Sequence, residues 1–179
     1  PVALHAEYHG PAGLGILRGI KIGCRLPEAD DLMQRAIAAA AAADVAIVVV
    51  GTNDDWESEG HDRATMDLPG AQDELVRRVC AANPRTVVVV NTGSPVTMDW
   101  VDDAAAVLQS WFGGQEMARA LAAVLVGDAD PGGRLPTTFP VPYEHSPAFG
   151  NFPGENSEVR YGEGLLVVYR WYDTRHLPV

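Results

Sequence analysis

Two glutamates two positions apart, Glu57 and Glu59, are the residues whose types and spacing most directly suggest chemistry. They lie in an acidic loop, residues 51–63, that holds five of the 24 acidic residues. A carboxyl that hydrogen-bonds a substrate oxygen in a partly apolar site can keep its proton near neutral pH and act as a general acid. Because the spacing is i, i+2, we expect only one of the two to face a given cleft. On spacing alone, a solvated acidic loop explains the pattern as well.

The acidic loop also resembles part of a calcium-binding loop. Asp55, Glu57, Glu59 and Gly60 fit its positions 1, 3, 5 and 6. The twelfth position is Met66, where a bidentate glutamate is required, so the motif is incomplete. We therefore expect no metal site here.

The rest of the loop argues against nucleotide or serine chemistry. A dinucleotide site needs a glycine-rich turn after the first strand, whereas residues 51–55 carry aspartates that would repel phosphate, so no cofactor is expected. His61 beside Asp62 could orient an imidazole, but no serine nucleophile elbow lies nearby. Asp62 and Arg63 are most simply an ion pair that structures the returning part of the loop. Trp56 would supply an apolar wall and a stacking face for a ring-shaped ligand.

The elements around the loop must position these side chains. Apolar and β-branched runs predict strands over 45–50, 86–90, 104–108 and 165–172, and helical spacing predicts helices over 29–43, 71–82 and 115–126. The first strand is expected to be buried, because its run is continuously apolar. This alternation is typical of an α/β fold with a mostly parallel, doubly wound sheet flanked by helices. The loops after residues 50, 91 and 110 should then line one edge of the sheet, where such folds bind ligands.

Both ends of the chain differ from this pattern. Residues 1–27 alternate with period two over 4–9 and 16–22, which predicts two short strands too few to be stable alone. We interpret them as the tail of a β-rich domain, followed by the α/β domain over 28–179. The proline-rich stretch 136–160 predicts an irregular segment. The missing initiating Met suggests a piece of a longer protein.

Composition excludes several classes of function. The net charge of −11 argues against nucleic-acid binding, because nothing would neutralise phosphate. The longest continuously apolar run, 36–43, is short of the roughly 20 apolar residues of a membrane span. Cys24 and Cys80 belong to no motif and are expected to be free thiols. No signal peptide is visible, which favours the cytoplasm over secretion. A homo-oligomer is compatible with the sequence.

Six ordered motifs resemble the second domain of glycoside hydrolase family 3 β-glucosidases. They are WESEGHDR at 56–63 with MDLP at 66–69 and Gln72, NPRTVVVV at 83–90, GSPV at 93–96 with Trp100, WFGGQE at 111–116, GDADPGGRLPTTFP at 127–140, and YGEG at 161–164 with YRWYD at 169–173. The resemblance covers about residues 29–175. Residues 1–27 resemble the end of the protective-antigen-type β-sandwich insert that some members carry.

The resemblance implies a function and a set of site residues. Members join a barrel domain, which carries an aspartate nucleophile, to an α/β sandwich domain, which carries the acid/base, and they hydrolyse β-glucosides with retention. The E-G-x-D-R motif implies Glu59 as the acid/base, with Glu57 as second choice. We further expect Trp56 and Asp55 to contact the substrate, while Asp62 and Arg63 keep a structural role.

The chain departs from the family pattern in two respects. The barrel is absent, so the chain supplies only one of the two carboxyls that a retaining mechanism needs, and we expect it to be inactive alone. Val168 stands where many members have glycine. The alternative function is a non-catalytic carbohydrate-binding or interaction module.

Overall fold

The computed structural model describes residues 3–9, 19–25 and 31–179, and these fall into two compact units. The first unit is Pro1–Ala36 and the second is Ile37–Val179. In the first unit, strands β1 (Ala3–His9) and β2 (Gly19–Arg25) pair in antiparallel fashion. The two expected strands are therefore present, with the second three residues later than the alternation predicts. That residues 1–27 are the remnant of a β-sandwich stays a prediction.

The second unit is built on a parallel sheet with helices between its strands. Its elements follow helix α1 (Leu32–Ala41) in the order β3 (Ala46–Gly51), α2 (Gln72–Ala82), β4 (Thr86–Asn91), β5 (Ala106–Gln109), α3 (Met117–Val126) and α4 (Tyr169–Arg175). The strand order is β3-β4-β5, with both neighbouring pairs parallel. The predicted α/β class is confirmed. No helix of the described residues is long and apolar enough to cross a membrane.

Strand β4 and helix α2 form the centre of the core. Val88, Val89 and Val90 are buried in the middle strand, and Val76 of α2 is completely buried. The helix can pack on the sheet because its apolar residues recur at i, i+3 and i+4. At its C-terminal end, the buried Asn83 Nδ2 donates to the carbonyls of Ala40 and Ala43, both at 2.9 Å, which fixes the end of α1.

Cys80 is buried in the core and is a free thiol. Burial raises its pKa, which leaves it unreactive at neutral pH. The side chain of Cys24 lies outside the described residues.

Strand β3 departs from its prediction on one face. Val48 and Val50 are buried against the core, but Ile47 and Val49 are 53% and 60% exposed. The prediction of a strand buried on both faces is therefore wrong for the described part of the chain. An apolar run shows that both faces of a strand could be buried. It does not show whether another element packs on each face.

The predicted strand over 165–172 is also wrong. Residues 169–175 form α4 instead, in which Tyr172 is buried and Trp171 Nε1 donates to His145 O at 2.8 Å. The β-branched and aromatic residues here have high strand propensity, and tertiary packing overrides it. The segment 136–160 is irregular, as expected, apart from one turn of 3₁₀ helix at Tyr143–His145.

Candidate functional site

An open cavity of about 450 Å³ lies at the carboxyl edge of the sheet. Loops that follow all three parallel strands line this rim cavity: Glu57, Ser58, Glu59, His61, Asp62 and Arg63 after β3, Gly93 and Ser94 after β4, and Phe112 after β5. The carboxyl ends of parallel strands meet at the same edge, which brings distant loops together. The predicted common edge is confirmed.

Glu59 lies at the tip of a tight turn in the acidic loop. Ser58 and His61 form an antiparallel bridge across this turn, and Gly60 N donates to Ser58 Oγ at 3.1 Å. Glu59 between them is exposed and borders the rim cavity. The turn therefore presents its carboxylate to whatever enters the cavity.

Glu57 borders the same cavity but is held by hydrogen bonds. Its Oε1 accepts from Thr52 Oγ1 at 2.5 Å and from Gly93 N at 3.1 Å, and its Oε2 accepts from Ser94 Oγ at 2.8 Å. Partial burial alone would raise the pKa of Glu57, but these bonds and the charge of Arg63 outweigh it, so the pKa lies below its ordinary value. Both glutamates therefore border one cleft, contrary to the expectation from their spacing. The lowered pKa keeps Glu57 ionised at neutral pH.

The start of the acidic loop is fixed to helix α2 and to strand β4. Gly51 N donates to Gln72 Oε1 at 2.7 Å, and Gln72 Nε2 donates back to Gly51 O at 2.9 Å. Thr52 N donates to Asn91 O at 3.1 Å. A Cβ on Gly51 would stand 2.1 Å from Asn91 O, so only glycine fits here. These contacts set where Thr52 presents its hydroxyl to Glu57.

The returning part of the loop is fixed differently from the prediction. Arg63 Nη2 donates to Pro95 O at 3.0 Å, and the expected ion pair with Asp62 does not form among the described residues. Arg63 still contributes its charge to Glu57. Its Nη1 is buried and has no hydrogen-bond partner within the described residues. Arg63 thus links the acidic loop to the loop after β4 through its hydrogen bond to the Pro95 carbonyl.

Two further carboxylates support the loop behind the cavity. Asp67 accepts from Thr97 Oγ1 at 2.5 Å, a bond that lowers its pKa. Asp73 accepts from Trp100 Nε1 at 2.7 Å and from Leu68 N at 3.2 Å. Burial raises the pKa of Asp73 despite these bonds. Both residues join the acidic loop's continuation to the segment after β4.

The predicted substrate contacts lie away from the rim cavity. In the part of the chain that the structure describes, neither Trp56 nor Asp55 lines it. Trp56 is half-buried, and its Nε1 is buried with no partner among the described residues. Asp55 is exposed, and its N donates to Asn53 Oδ1 at 3.0 Å. Their role in binding stays a prediction.

Phe112 supplies the apolar surface of the cavity instead. It is 49% exposed, and its ring lies against Gly93, where an added Cβ would stand 2.7 Å from the ring and 2.8 Å from Glu57 Oε2. Sequence reasoning missed Thr52, Gly93, Ser94 and Phe112 as site residues. The signal was available, because all four follow strands whose ends were expected to meet.

The arrangement of these side chains is suited to proton transfer. Within the described ranges, no group of three or more His, Cys, Asp or Glu side chains is placed to hold a metal ion. Glu59 offers a carboxyl accessible from the cavity, Glu57 a fixed anion, and Phe112 an apolar face.

Comparison with known families finds a match over most of the chain. The family model described as the glycosyl hydrolase family 3 C-terminal domain matches residues 5–169. A probable β-glucosidase J of Aspergillus fumigatus is 44% identical over 179 residues, which is 99% of this chain and 21% of that protein. A probable β-glucosidase I of Aspergillus terreus is 44% identical over 160 residues, covering 89% and 19%.

Solved structures agree with these relatives. The β-glucosidase of Kluyveromyces marxianus in complex with glucose superposes with a TM-score of 0.85 at 42% identity, over 90% of this chain and 20% of that one. DesR, a β-glucosidase of Streptomyces venezuelae in complex with D-glucose, gives a TM-score of 0.76 at 38% identity, over 89% and 20%. The chain thus spans about a fifth of the length of the proteins that it matches.

Proposed function

Because the chain belongs to the glycosyl hydrolase family 3 C-terminal domain family, we propose that it is the acid/base-bearing domain of a retaining β-glucosidase. The observation that carries the proposal is the position of Glu59, exposed in the rim cavity at the tip of the bridged turn. The nucleophile then lies on a barrel domain outside these 179 residues. The relatives and solved structures named β-glucosidase support this assignment.

Glu59 serves both halves of the reaction. In the first, it gives its proton to the glycosidic oxygen as the bond to the anomeric carbon breaks and an aspartate of the barrel takes the sugar. In the second, the Glu59 carboxylate removes a proton from water, whose oxygen bonds to the anomeric carbon and releases the aspartate. Glu59 ends protonated, so the cycle closes with two inversions and net retention.

The hydrogen bonds of Glu57 favour Glu59 as the proton donor. A general acid must be protonated before the reaction and must reach the leaving oxygen. Both oxygens of Glu57 already accept hydrogen bonds, and its pKa is lowered. Glu57 is therefore an anion at neutral pH and a poor proton donor.

The substrate class follows from the family and from the shape of the rim. We propose terminal β-D-glucosyl residues of β-glucosides or oligosaccharides as substrate, with the barrel completing the sugar site. Phe112 offers an apolar face to the pyranose or to its aglycone. Trp56 and Asp55 would contact substrate only where the barrel or an insert brings it to their side of the loop.

The test is Glu59→Ala in the protein that joins this chain to its barrel. Loss of general-acid catalysis should lower kcat/KM for alkyl glucosides by about 10²–10⁴-fold, and much less for dinitrophenyl glucoside, whose leaving group needs no proton. With dinitrophenyl glucoside, azide should raise the turnover rate by attacking the glycosyl-enzyme, with β-glucosyl azide as product.

Glu74→Gln on the exposed side of α2 is the matched control, since the Glu74 carboxylate pairs with Arg78 and does not line the rim cavity. The proposal is contradicted when Glu59→Ala lowers kcat/KM equally for substrates with good and poor leaving groups and azide has no effect. The alternative of a non-catalytic carbohydrate module is favoured by none of these contacts. Calorimetric titration of the chain with glucose and cellobiose would detect it as micromolar binding.

A further inference from the structure

We infer that Glu57 is a positioning residue for Glu59, acting as a clamp between the loops after β3 and β4. The inference rests on the proposed role of Glu59 and extends it to a residue whose own chemistry is not proton transfer. Glu57 lies one residue before the bridged turn that carries Glu59. Its carboxylate holds the starting point of that turn.

The clamp joins segments that are far apart in the sequence. Thr52, five residues before Glu57, donates within the acidic loop, whereas Gly93 and Ser94 donate from 36 and 37 residues further along. Bonds from neutral donors to a carboxylate are stronger than bonds between neutral groups. A single charged side chain thus fixes the acidic loop against the loop after β4.

Local hydrogen bonds also shape this stretch of backbone. Trp56 N and Glu57 N both donate to Asn53 O, which closes a local turn but does not tie it to the sheet. Hydrogen bonds at the two ends of the loop also join it to its surroundings, from Gly51 to Gln72 and from Arg63 to Pro95. The hydrogen bonds of Glu57 hold the loop much closer to the turn at Ser58–His61 than these end contacts do.

The space around the clamp is matched to it. An added Cβ at Gly93 would stand 2.8 Å from Glu57 Oε2, so the glycine lets the carboxylate reach both Gly93 N and Ser94 Oγ. The Arg63 charge further favours the anion. Because a displacement of about 1 Å in a reacting group can cost on the order of 10²-fold in rate, loosening this clamp should impair Glu59 without removing it.

The experiment uses the barrel-containing protein with Glu57→Ala, Glu57→Gln and Ser94→Ala, compared with Glu59→Ala and the Glu74→Gln control. Glu57→Ala should lower kcat for alkyl glucosides by about 10²-fold with a much smaller effect on dinitrophenyl glucoside, because proton delivery is the step that suffers. KM should change little. Azide should not rescue it, because the Glu59 carboxylate remains in the cavity.

Substitutions that keep part of the clamp should lower kcat less than Glu57→Ala does. The glutamine of Glu57→Gln can still accept from Thr52 and Gly93, so we expect a loss under about 10-fold. Ser94→Ala should fall between the two variants. The double variant Glu57→Ala with Ser94→Ala should be no slower than Glu57→Ala alone, since both remove the same clamp.

Two failures are distinguishable. The inference alone is overturned when Glu59→Ala behaves as an acid/base variant while Glu57→Ala keeps the parent's dependence on leaving group. Both the inference and the assignment of Glu59 are overturned when azide rescues Glu57→Ala and not Glu59→Ala. A uniform loss over all substrates for Glu57→Ala, with lowered thermal stability, marks a merely structural role and also overturns the inference.

Discussion

Both the start of the acidic loop and the turn before α4 have a backbone geometry that favours glycine. The first position is occupied by glycine, Gly51, whereas the second is occupied by valine, Val168. At the loop, Gly51 packs against Asn91 so closely that a Cβ would stand 2.1 Å from the carbonyl oxygen. At the turn, Val168 adopts φ 55° and ψ −125°, a conformation that glycine tolerates and a β-branched residue does not.

The difference shows that the backbone next to the rim cavity is unstrained, whereas the backbone before α4 is strained. Gly51 leads directly to Thr52, which donates to Glu57 in the rim cavity, so a shift there would reach the site. Val168 precedes α4 and borders a second cavity of about 240 Å³ together with Pro95 and Tyr172. Strain at Val168 is a local cost that the packing of the segment absorbs, and the resemblance to family members with glycine at this position now has a physical reason.

The largest expected effect is that of Gly51→Ala. The new methyl meets backbone and not a flexible side chain, so strands β3 and β4 must separate at this point. We expect a loss of about 3 kcal/mol in the free energy of unfolding, at the upper end for overpacking. Urea denaturation measures it.

Gly114→Ala is the matched control, because nothing lies within 4 Å of its added Cβ. It should change stability by less than about 0.5 kcal/mol. Equal effects of the two substitutions would show that the close approach at Gly51 is not a constraint.

A smaller effect of opposite sign is expected for Val168→Gly. Relief of the positive φ is worth about 1–2 kcal/mol, while the extra backbone entropy of glycine in the unfolded chain offsets about 0.5–1 kcal/mol. The net result should be a gain of up to about 1 kcal/mol, read from urea denaturation. Val168→Ala keeps the strained Cβ and loses packing, so it should gain nothing. A stability loss for Val168→Gly as large as for Val168→Ala would contradict the strain.

The smallest effect concerns the pH dependence of two carboxylates near the loop. Glu57 has a lowered pKa, so its stabilising contribution is present above its ordinary pKa of 4.5 and is lost as pH falls through the lower folded value. Asp73 has a raised pKa, mainly from burial, so its contribution is present below its ordinary 3.8 and is lost as pH rises through the folded value. Solvent screening keeps both contributions small.

Urea unfolding curves between pH 3 and 7 distinguish the opposite pH dependences of Glu57 and Asp73. The stability advantage of the parent over Glu57→Gln should shrink on acidification below about pH 4.5. The parent should lose stability relative to Asp73→Asn as pH rises above about 4. An advantage over Glu57→Gln that grows on acidification would show that the hydrogen bonds to its carboxylate do not outweigh its burial.

Most of the fold follows from local patterns. Each predicted strand or helix from 29 to 126 appears within three residues of its expected bounds, because apolar periodicity reports which face an element can bury. The exceptions depend on neighbours. Ile47 and Val49 look like core residues but are exposed. Residues 165–172 look like a strand, but 169–175 form a helix whose Trp171 Nε1 donates to His145 O.

The sequence by itself determined the acidic loop and its place after a strand, since run length and spacing are properties of neighbouring residues, whereas the preference for Glu59 over Glu57 came from the family resemblance and stays a proposal. Only the tertiary structure decided what each glutamate is bonded to. The donors that hold Glu57 come from 36 and 37 residues away, and strand pairing brings them to the rim. Hydrogen-bond partners set at such a distance depend on strand order and loop approach, which spacing along the chain does not encode.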